Sequence, residues 1–475
     1  MSHQPAAAAL SPAELSPAST PFSPAAQRRQ RMLAGPILRT MLALAAPTLI
    51  VLVVQTLVGV AETYFVSYLG TEALAGVALV FPVLMLMQMM SNGGIGGGVS
   101  AAVARALGAG RRDDADALVL HALIIAVVFG LVFTAGEFLG GHALFRALGG
   151  EGAVLGAALA YGDVIFAGAV LVWIVSLLAA ALRGSGNVFV PAAVILVGAC
   201  FLLPLSPALI FGWGPLPRFG VAGAGIAVLI YYGAASLALL AYLRSKHSAL
   251  RLRFDVRSLS RRLFVDVLRV GALSAVGTIQ ANLTVVLVTG AVGLFGTDAI
   301  AGYGIASRLD YVLIPLLFAL GTAALAMVGT NIGAGQHERA LRIAWVGGLT
   351  AAVVTEAIGL AAAVFPSAWL GLFSADAAVQ AVGATYLRIV GPTYGLVGLG
   401  LLLYFSSQGA GRVLWPVLAS TLRLVVAALV GWWVVMEFSV GLRGLFLTVA
   451  LGGSAYGLMI AAAIRFGAWG ATRRY

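Results

Sequence analysis

Four carboxylic side chains lie inside long apolar stretches of the sequence, at Glu62, Asp163, Asp310 and Glu356. An ionisable group near the centre of a membrane helix costs about 2.5–3.5 kcal/mol on insertion scales. A carboxylate is suited to taking up a proton or a small cation on one side of a membrane and releasing it on the other. Each of these residues is therefore a candidate for cation coupling, unless an ion pair, a hydrogen bond or contact with water explains it.

Glu62 and Gln55 form the first candidate site. Glu62 lies near the outer end of the first apolar stretch. Gln55 precedes it by seven residues, which is two helical turns and about the same helix face. The alternative is that Glu62 lies at the level of the lipid headgroups and only marks the end of the helix.

Asp163 and Tyr161 are further candidates for the same cation-coupling site. Asp163 lies roughly 12 residues, or about 18 Å of helix, into the fourth apolar stretch. Tyr161 is close in sequence, although a spacing of two does not place both residues on one face. The alternative for Asp163 is a structural hydrogen bond to a neighbouring helix.

Asp310 and Arg388 are predicted at similar depths in the eighth and tenth stretches. A buried pair between them would offset the desolvation of both groups, with Arg308 as a competing partner for Asp310. Such a pair is either structural or a gate that opens when a proton or substrate arrives. Glu356 is a weaker gating candidate, and Glu137 is expected to reach water at the end of the third stretch.

Uncharged polar residues in the second and seventh stretches are candidates for contact with a substrate. They are Gln88, Gln280, Asn282 and Thr284. Hydrogen bonds between helices are the alternative explanation. Cys200 is the only cysteine, which excludes an intrachain disulfide and a thiolate metal site. The chain has no metal-binding pair, nucleophile elbow or phosphate loop, so we expect neither an enzyme nor a cofactor.

The composition is that of a membrane protein. Of the 475 residues, 61% are hydrophobic and 9% are charged, and the mean hydropathy is +1.03. Soluble domains are about 45–50% apolar and about 25% charged. We expect an all-α polytopic protein with bends at Pro47, Pro82, Pro315 and Pro392. The twelve predicted spans are 40–66, 73–104, 117–139, 152–182, 188–211, 221–243, 263–295, 298–328, 340–365, 377–407, 413–436 and 443–466.

The basic residues predict the orientation. The formal net charge is +11, and 22 of the 28 lysines and arginines fall on the side that carries the N-terminus. Three more lie in spans, and Arg146, Arg218 and Arg443 lie in the opposite loops. This asymmetry follows the positive-inside rule and predicts cytoplasmic termini in a cell membrane of the bacterial inner-membrane type. The C-terminal Arg473 and Arg474 support an even number of spans.

An internal repeat divides the chain. LGTEALAG at 69–76 is followed by FGTDAIAG at 295–302, and RGSGNVFVP at 183–191 by QGAGRVLWP at 408–416. The offset is 225 or 226 residues each time. Halves of six spans each are parallel repeats, with a cavity between them. The predicted domains are a disordered tail at 1–35, an N-lobe at 36–243, a basic linker at 244–262 and a C-lobe at 263–470.

The sequence resembles the multidrug and toxic compound extrusion (MATE) transporters. The likeness is carried by GGIGGGVSAAVARALGAGRRDDADALV (93–119), ALRGSGNVFVP (181–191), AETYFVSYLGTEALAG (61–76), GTAALAMVGTNIGAGQHERAL (321–341) and SSQGAGRVLWP (406–416). The resemblance implies a V-shaped, twelve-helix exporter of organic cations and amphipathic drugs, driven by inward H⁺ or Na⁺ flow. It also implies cation coupling at Glu62, where the family usually has Asp.

Some members of that family carry acidic residues on the seventh and tenth helices. This chain has Gln280, Asn282 and Thr284 on the seventh and Arg388 on the tenth. Ion coupling is therefore expected in the first half.

The function predicted from the sequence is secondary active efflux by antiport with H⁺ or Na⁺, through alternating access between two lobes. The expected partners are a small-molecule substrate and the lipid bilayer, without nucleic acid, and a monomer is expected. Two alternatives stay open: a flippase for a lipid-linked precursor, and a non-transporting membrane receptor or scaffold. Few arginines within the spans argue against a lipid pyrophosphate. The buried carboxylates argue against a scaffold.

Overall fold

The computed structural model describes residues 24–214, 216–438 and 440–470. Over these ranges the secondary structure is helical, with turns and no strand. Residues 1–23 of the predicted tail, together with Arg473 and Arg474, lie outside the described residues.

The first half of the chain forms nine helices within the described ranges. They are α1 (Pro24–Ala34), α2 (Ile37–Ser67), α3 (Thr71–Met89), α4 (Gly96–Gly108), α5 (Arg112–Ala147), α6 (Gly152–Ala167), α7 (Ala169–Gly184), α8 (Phe189–Phe211) and α9 (Val221–Arg244). A π-helical segment, Met90–Ile95, joins α3 to α4 without a turn. We refer to α2–α9 as the N-lobe.

The second half follows a 3₁₀ turn at Val256–Ser258. Its helices are α10 (Arg261–Gly293), α11 (Thr297–Gly333), α12 (His337–Val364), α13 (Pro366–Leu370), α14 (Ala377–Val390), α15 (Tyr394–Ala410), α16 (Leu414–Leu424), α17 (Gly431–Phe438) and α18 (Gly441–Arg465). A 3₁₀ turn, Gly391–Thr393, separates α14 from α15, and a π-helical segment, Val425–Val430, separates α16 from α17. We refer to α10–α18 as the C-lobe.

The number of spans agrees with the sequence prediction. Within the described residues, 11 helical segments are long and apolar enough to cross a membrane, and the pair α6–α7 makes a twelfth. That pair is bent by 49° at Gly168, where the chain has no proline. The second half breaks at the equivalent place, Gly391–Thr393. Of the four prolines at which bends were expected, Pro392 lies in this 3₁₀ turn, whereas Pro47, Pro82 and Pro315 lie inside continuous helices.

Matching turns confirm that the two halves are repeats. Three pairs of glycines at the repeat offset adopt nearly the same positive φ, a conformation that a Cβ atom disfavours. The pairs are Gly70 (φ 107°) with Gly296 (98°), Gly110 (74°) with Gly335 (75°), and Gly186 (77°) with Gly411 (72°). Each pair ends or begins a helix at the same place in both lobes.

Helix α1 contacts both lobes. Met32 is buried in the core of the C-lobe, and Asn331 donates a hydrogen bond of 3.0 Å to its carbonyl. Arg29 donates to the carbonyl of Leu107 in the N-lobe at 3.1 Å. The expectation of a disordered tail is therefore wrong for residues 24–34. The average composition of 1–35 conceals one short segment with an apolar side chain to bury and an arginine that reaches a helix terminus.

The lobes meet where α4 crosses α10 and α11. The backbones touch at two equivalent glycines: a Cβ atom on Gly108 would collide with the Thr330 carbonyl, and one on Gly333 would collide with the Arg105 carbonyl. The Arg105 side chain then bonds Asp266 across the contact at 2.8 Å. We call this contact the seam, defined by residues 94–108 against 266–275 and 329–333.

Contacts between the lobes become fewer with distance from the seam. The last turns of α2 expose Leu57, Val60 and Tyr64. On α10, Asn282 is exposed, and its amide lies 3.4 Å from the sulfur of Met89 on α3. Helix α1 packs against the end of α11 at the seam, and Trp469 donates a hydrogen bond of 3.3 Å to Ser407. Both described chain ends therefore lie at the seam end of the molecule. Helices α3, α6, α8 and α9 have few or no backbone contacts with the C-lobe, so we place a cleft between the lobes at the end opposite to the described termini.

The seam predicts a specific sensitivity to added volume. Gly333→Ala places a methyl group against the Arg105 backbone, which cannot rotate away, so we expect a loss of about 1–3 kcal/mol in unfolding free energy. Gly304→Ala, on the same helix with open space at its Cβ position, is the control and gains about 0.5–1 kcal/mol. Equal effects in a detergent unfolding assay contradict the close contact at Gly333.

Candidate functional site

Glu62 faces a group of hydroxyls in the N-lobe. Its Oε1 atom is shielded from solvent without a hydrogen-bond partner among the described residues. Ser206 of α8 is close to the carboxylate but makes no well-formed hydrogen bond with it. Tyr161 of α6 and Tyr232 of α9 are close enough to the Glu62 carboxylate to interact with it electrostatically. Four helices thus meet at one carboxylate.

Gln55 lies at the rim of this group. It is exposed, and its side chain approaches the hydroxyl of Tyr231 on α9. The structure therefore places Gln55 and Glu62 along one side of α2, facing α9. Gln55 itself approaches a tyrosine rather than the carboxylate.

Asp163 lies beside a different carboxylate. Its neighbour is Glu137 of α5, whereas the residue of α6 that approaches Glu62 is Tyr161. Residues two apart point about 200° apart on a helix, so both cannot face α2. The expectation that Glu137 reaches water is also wrong: it is 6% exposed and packs against Gly141 and Gly162. The absence of side chains on those glycines makes room for it.

Asp310 forms the centre of a second group, in the C-lobe. The hydroxyl of Tyr386 on α14 donates to its Oδ2 atom at 2.9 Å. The hydroxyl of Tyr394 on α15 faces the same carboxylate, although it is shielded from solvent without a well-formed hydrogen bond. Arg423 on α16 is a cation that interacts electrostatically with Asp310. Its guanidinium lies 5.9 Å from the Tyr456 ring centre.

The predicted ion pair between Asp310 and Arg388 is wrong. Arg388 is exposed and makes no salt bridge in the described part of the chain. Arg308, the alternative partner, is also exposed and lies 5.6 Å above the ring of Phe373. The reason is helical geometry: Tyr386 faces Asp310, so Arg388 points to the other side of α14.

Glu356 stabilises the break between α14 and α15. Its Oε2 atom accepts the backbone N–H of Gly395 at 2.7 Å. The hydroxyl of Thr355 donates to the Tyr394 carbonyl at 3.0 Å. A helix break leaves backbone groups without their usual partners, and these two residues of α12 replace them. The geometry gives Glu356 a structural contact at the break, close to Tyr394.

The polar residues predicted to line a substrate cavity have different environments. Gln280 donates to Thr421 at 2.8 Å and keeps one enclosed oxygen without a partner among the described residues. Thr284 is buried and bonds the Gln280 carbonyl at 2.8 Å, so it is structural. Asn282 is exposed in the cleft, and Gln88 is half-buried on α3. The described residues contain no cluster of metal-ligating side chains.

Sequence reasoning missed Ser206, Tyr232 and Tyr394. All three are uncharged residues in apolar helices, where a hydroxyl is common and carries no signal by itself. The repeat offered one clue, because Tyr161 and Tyr386 lie 225 residues apart. Tyr161 approaches Glu62, and Tyr386 donates to Asp310.

The comparisons with known proteins agree on the family. The MatE family model matches residues 47–208 and 274–433. The chain belongs to the MatE family. These are transporters, not enzymes, so the protein is a multi-pass membrane transporter of the multidrug-efflux MATE type.

Two relatives illustrate the range of this family. The chain is 29% identical over 410 residues to a protein of Shewanella oneidensis named FAD transporter, covering 84% of this chain and 88% of the relative. It is 25% identical over 414 residues to the probable multidrug resistance protein NorM of Thermotoga maritima, covering 86% and 88%. The names of these two relatives point to different cargoes.

Solved structures show the same MATE fold. A MATE transporter in the bent conformation matches with a TM-score of 0.85 at 25% identity, covering 94% of this chain and 98% of that structure. An outward-facing multidrug resistance MATE transporter matches with a TM-score of 0.82 at 25% identity, covering 93% and 98%. The twelve-helix, two-lobe architecture expected from the sequence is confirmed.

A double-mutant cycle distinguishes the two partners considered for Asp310. We expect Tyr386→Phe and Asp310→Ala to show a coupling of about 0.5–3 kcal/mol in unfolding free energy, because each removes one end of the same hydrogen bond. Arg388→Ala combined with Asp310→Ala should show none. Coupling to Arg388 and none to Tyr386 contradicts the assigned contact.

Proposed function

We propose that this MATE transporter exports small amphipathic molecules in exchange for protons that bind at Glu62. The observation that carries the proposal is the enclosed Oε1 atom of Glu62, which has no donor among the described residues. A buried charged acceptor without a donor is unfavourable, and a bound proton removes the charge. The surrounding hydroxyls of Ser206, Tyr161 and Tyr232 can exchange hydrogen bonds with either form of the carboxyl group.

Proton coupling fits this group better than sodium coupling. A bound metal ion needs several oxygen ligands converging on one point. Here the carboxylate is the single charged ligand, and Ser206 does not complete even one hydrogen bond to it. A proton needs only the carboxylate oxygen itself.

The cleft between the lobes is the route for the cargo. It is lined by the exposed Asn282 on α10 and, 3.4 Å away, by the half-buried Met89 on α3. Methionine is flexible and polarisable and fits varied apolar shapes, while the asparagine offers both a donor and an acceptor. This chemistry suits amphipathic molecules, and the Shewanella relative named FAD transporter makes FAD a second cargo to test.

The closed seam defines the state of the cycle. With both termini cytoplasmic, as the basic residues indicate, the seam closes the cytoplasmic side and the cleft faces outward. Protons then reach Glu62 from outside while cargo leaves. Return to the inward-facing state requires the α4–α11 contact to open and the lobes to close at the other end.

Transport in proteoliposomes tests the proposal. We expect wild type to move a fluorescent organic cation under a proton gradient, with no drive from a sodium gradient. Glu62→Gln keeps the size of the side chain but cannot exchange a proton, so its rate should fall to that of empty liposomes. Glu72→Gln, at an exposed site in the first turn of α3, is the matched control and should transport at the wild-type rate.

Two results contradict the proposal. Full-rate transport by Glu62→Gln would show that Glu62 does not couple transport to the proton, provided that the variant elutes as a folded protein with the wild-type unfolding temperature. Transport driven by a sodium gradient alone would show that the coupling ion is Na⁺ rather than H⁺. Running FAD in parallel with the organic cation decides between the two cargo classes.

A further inference from the structure

Arg183 is a buried arginine without a hydrogen-bonding partner among the described residues. It lies in the last turn of α7 at the seam end of the N-lobe, and it is 9% exposed. Its guanidinium makes no hydrogen bond or salt bridge with any residue that the structure describes. Arg105 is nearly as enclosed but bonds Asp266 at 2.8 Å and the Gly409 carbonyl at 3.1 Å. The isolation of Arg183 is therefore not a general property of the arginines at this end.

The repeat shows what Arg183 lacks. The equivalent residue in the C-lobe is Gln408, 225 positions later. Gln408 is fully buried, and its amide nitrogen lies within hydrogen-bond distance of three acceptors: the Gly93 carbonyl at 3.0 Å, Ser274 at 2.8 Å and Tyr404 at 3.0 Å. A neutral amide thus has three acceptors within reach, whereas the charged guanidinium at the same place in the N-lobe has none among the residues that the structure describes.

The sequence shows which acceptor is missing. Of the side-chain partners of Gln408, Tyr404 corresponds to Ala179 at an offset of 225, and Ser274 corresponds to Thr48 at the offset of 226 that also relates Gly70 to Gly296. The third partner, Gly93, accepts through its backbone carbonyl. The N-lobe therefore carries a positive charge where the Tyr404 hydroxyl has no counterpart. An unpaired buried charge is strongly unfavourable, so the acceptor is a group that the described residues do not include.

A cavity beside Arg183 gives such a group access. Its volume is ≈ 20 Å³, slightly more than the roughly 10–15 Å³ that one water-sized centre needs. It admits one oxygen atom of an anionic group rather than the whole group. The lining is apolar except for Arg183 and Thr48, and its residues are Thr48, Val51, Val188, Pro191, Ala192 and Ile195.

The surroundings of the cavity select a lipid as the occupant. It lies between α2 and α8, and the neighbouring side chains Ile50 and Phe189 are apolar and exposed, as expected where helices face acyl chains. Arg183 is one residue before the end of its helix, which is the level of the headgroups. Basic pockets between membrane helices on the cytoplasmic side are suited to acidic headgroups.

We propose that the cleft between α2 and α8 binds an anionic phospholipid of the leaflet at the seam end, with a phosphate oxygen on the Arg183 guanidinium and Thr48. The acyl chains lie along the exposed apolar surface of the two helices. The lipid phosphate gives Arg183 a hydrogen-bond acceptor, whereas Gln408 has its acceptors within the protein.

Lipid binding to the purified full-length protein tests this. We expect phosphatidylglycerol to raise the unfolding temperature of the detergent-solubilised wild type, and native mass spectrometry to show one retained lipid more than in Arg183→Gln. Glutamine is the residue that the repeat accepts at this place, so Arg183→Gln should fold but lose the response to phosphatidylglycerol. Arg183→Lys, which keeps the charge, should retain a weaker response.

Control reagents and a control variant make the outcomes distinct. Arg412→Gln removes one exposed charge from the same end of the molecule and should respond as wild type does. The proposal is overturned if Arg183→Gln responds like wild type. It is also overturned if inorganic phosphate reproduces the shift, which indicates a free anion, or if neutral diacylglycerol does so, which indicates acyl chains alone.

Discussion

The contact between α4 and α11 determines how the two lobes can be arranged. Gly108 contacts the Thr330 backbone, and Gly333 contacts the Arg105 backbone, so α4 and α11 cross at two glycines that occupy equivalent positions in the repeat. The bilayer gives helices little hydrophobic reason to associate, and small residues that let backbones approach take over that role. With this contact closed, the opposite ends of the lobes are apart, and the cleft and the Glu62 group lie on the open side.

The two halves share a scaffold but use it differently. Tyr161 and Tyr386 occupy equivalent places before equivalent helix breaks, yet one faces Glu62 from α2 and the other faces Asp310 from α11. Each carboxylate therefore comes from a different helix of the repeat. Parallel repeats fix the position of the helices, whereas a single side chain is enough to change the chemistry between them.

The sequence predicted the architecture well because the signals for it extend over many residues. Spans, repeat offset and family each rest on dozens of positions, and the structure and comparisons confirm them. Predictions of single contacts were less successful, because a contact depends on which way a side chain points from its helix. Asp310 and Arg388 were predicted to pair because they lie at similar depths in their helices, but Tyr386 is the residue of α14 that faces Asp310. Similarly, Glu137 is buried because Gly141 and Gly162 leave space, which only packing reveals.

The central claim is that the seam closes the cytoplasmic side while the cleft is open to the outside. Labelling with a membrane-impermeant maleimide tests it, in a Cys200→Ser background that removes the only native cysteine. Asn282→Cys and Ser274→Cys differ by eight residues of α10, or about 12 Å, with the first exposed in the cleft and the second buried at the seam. With cytoplasmic termini, as proposed above, reagent added outside should modify Asn282→Cys and spare Ser274→Cys. Modification of Asn282→Cys only from the cytoplasmic side contradicts this account.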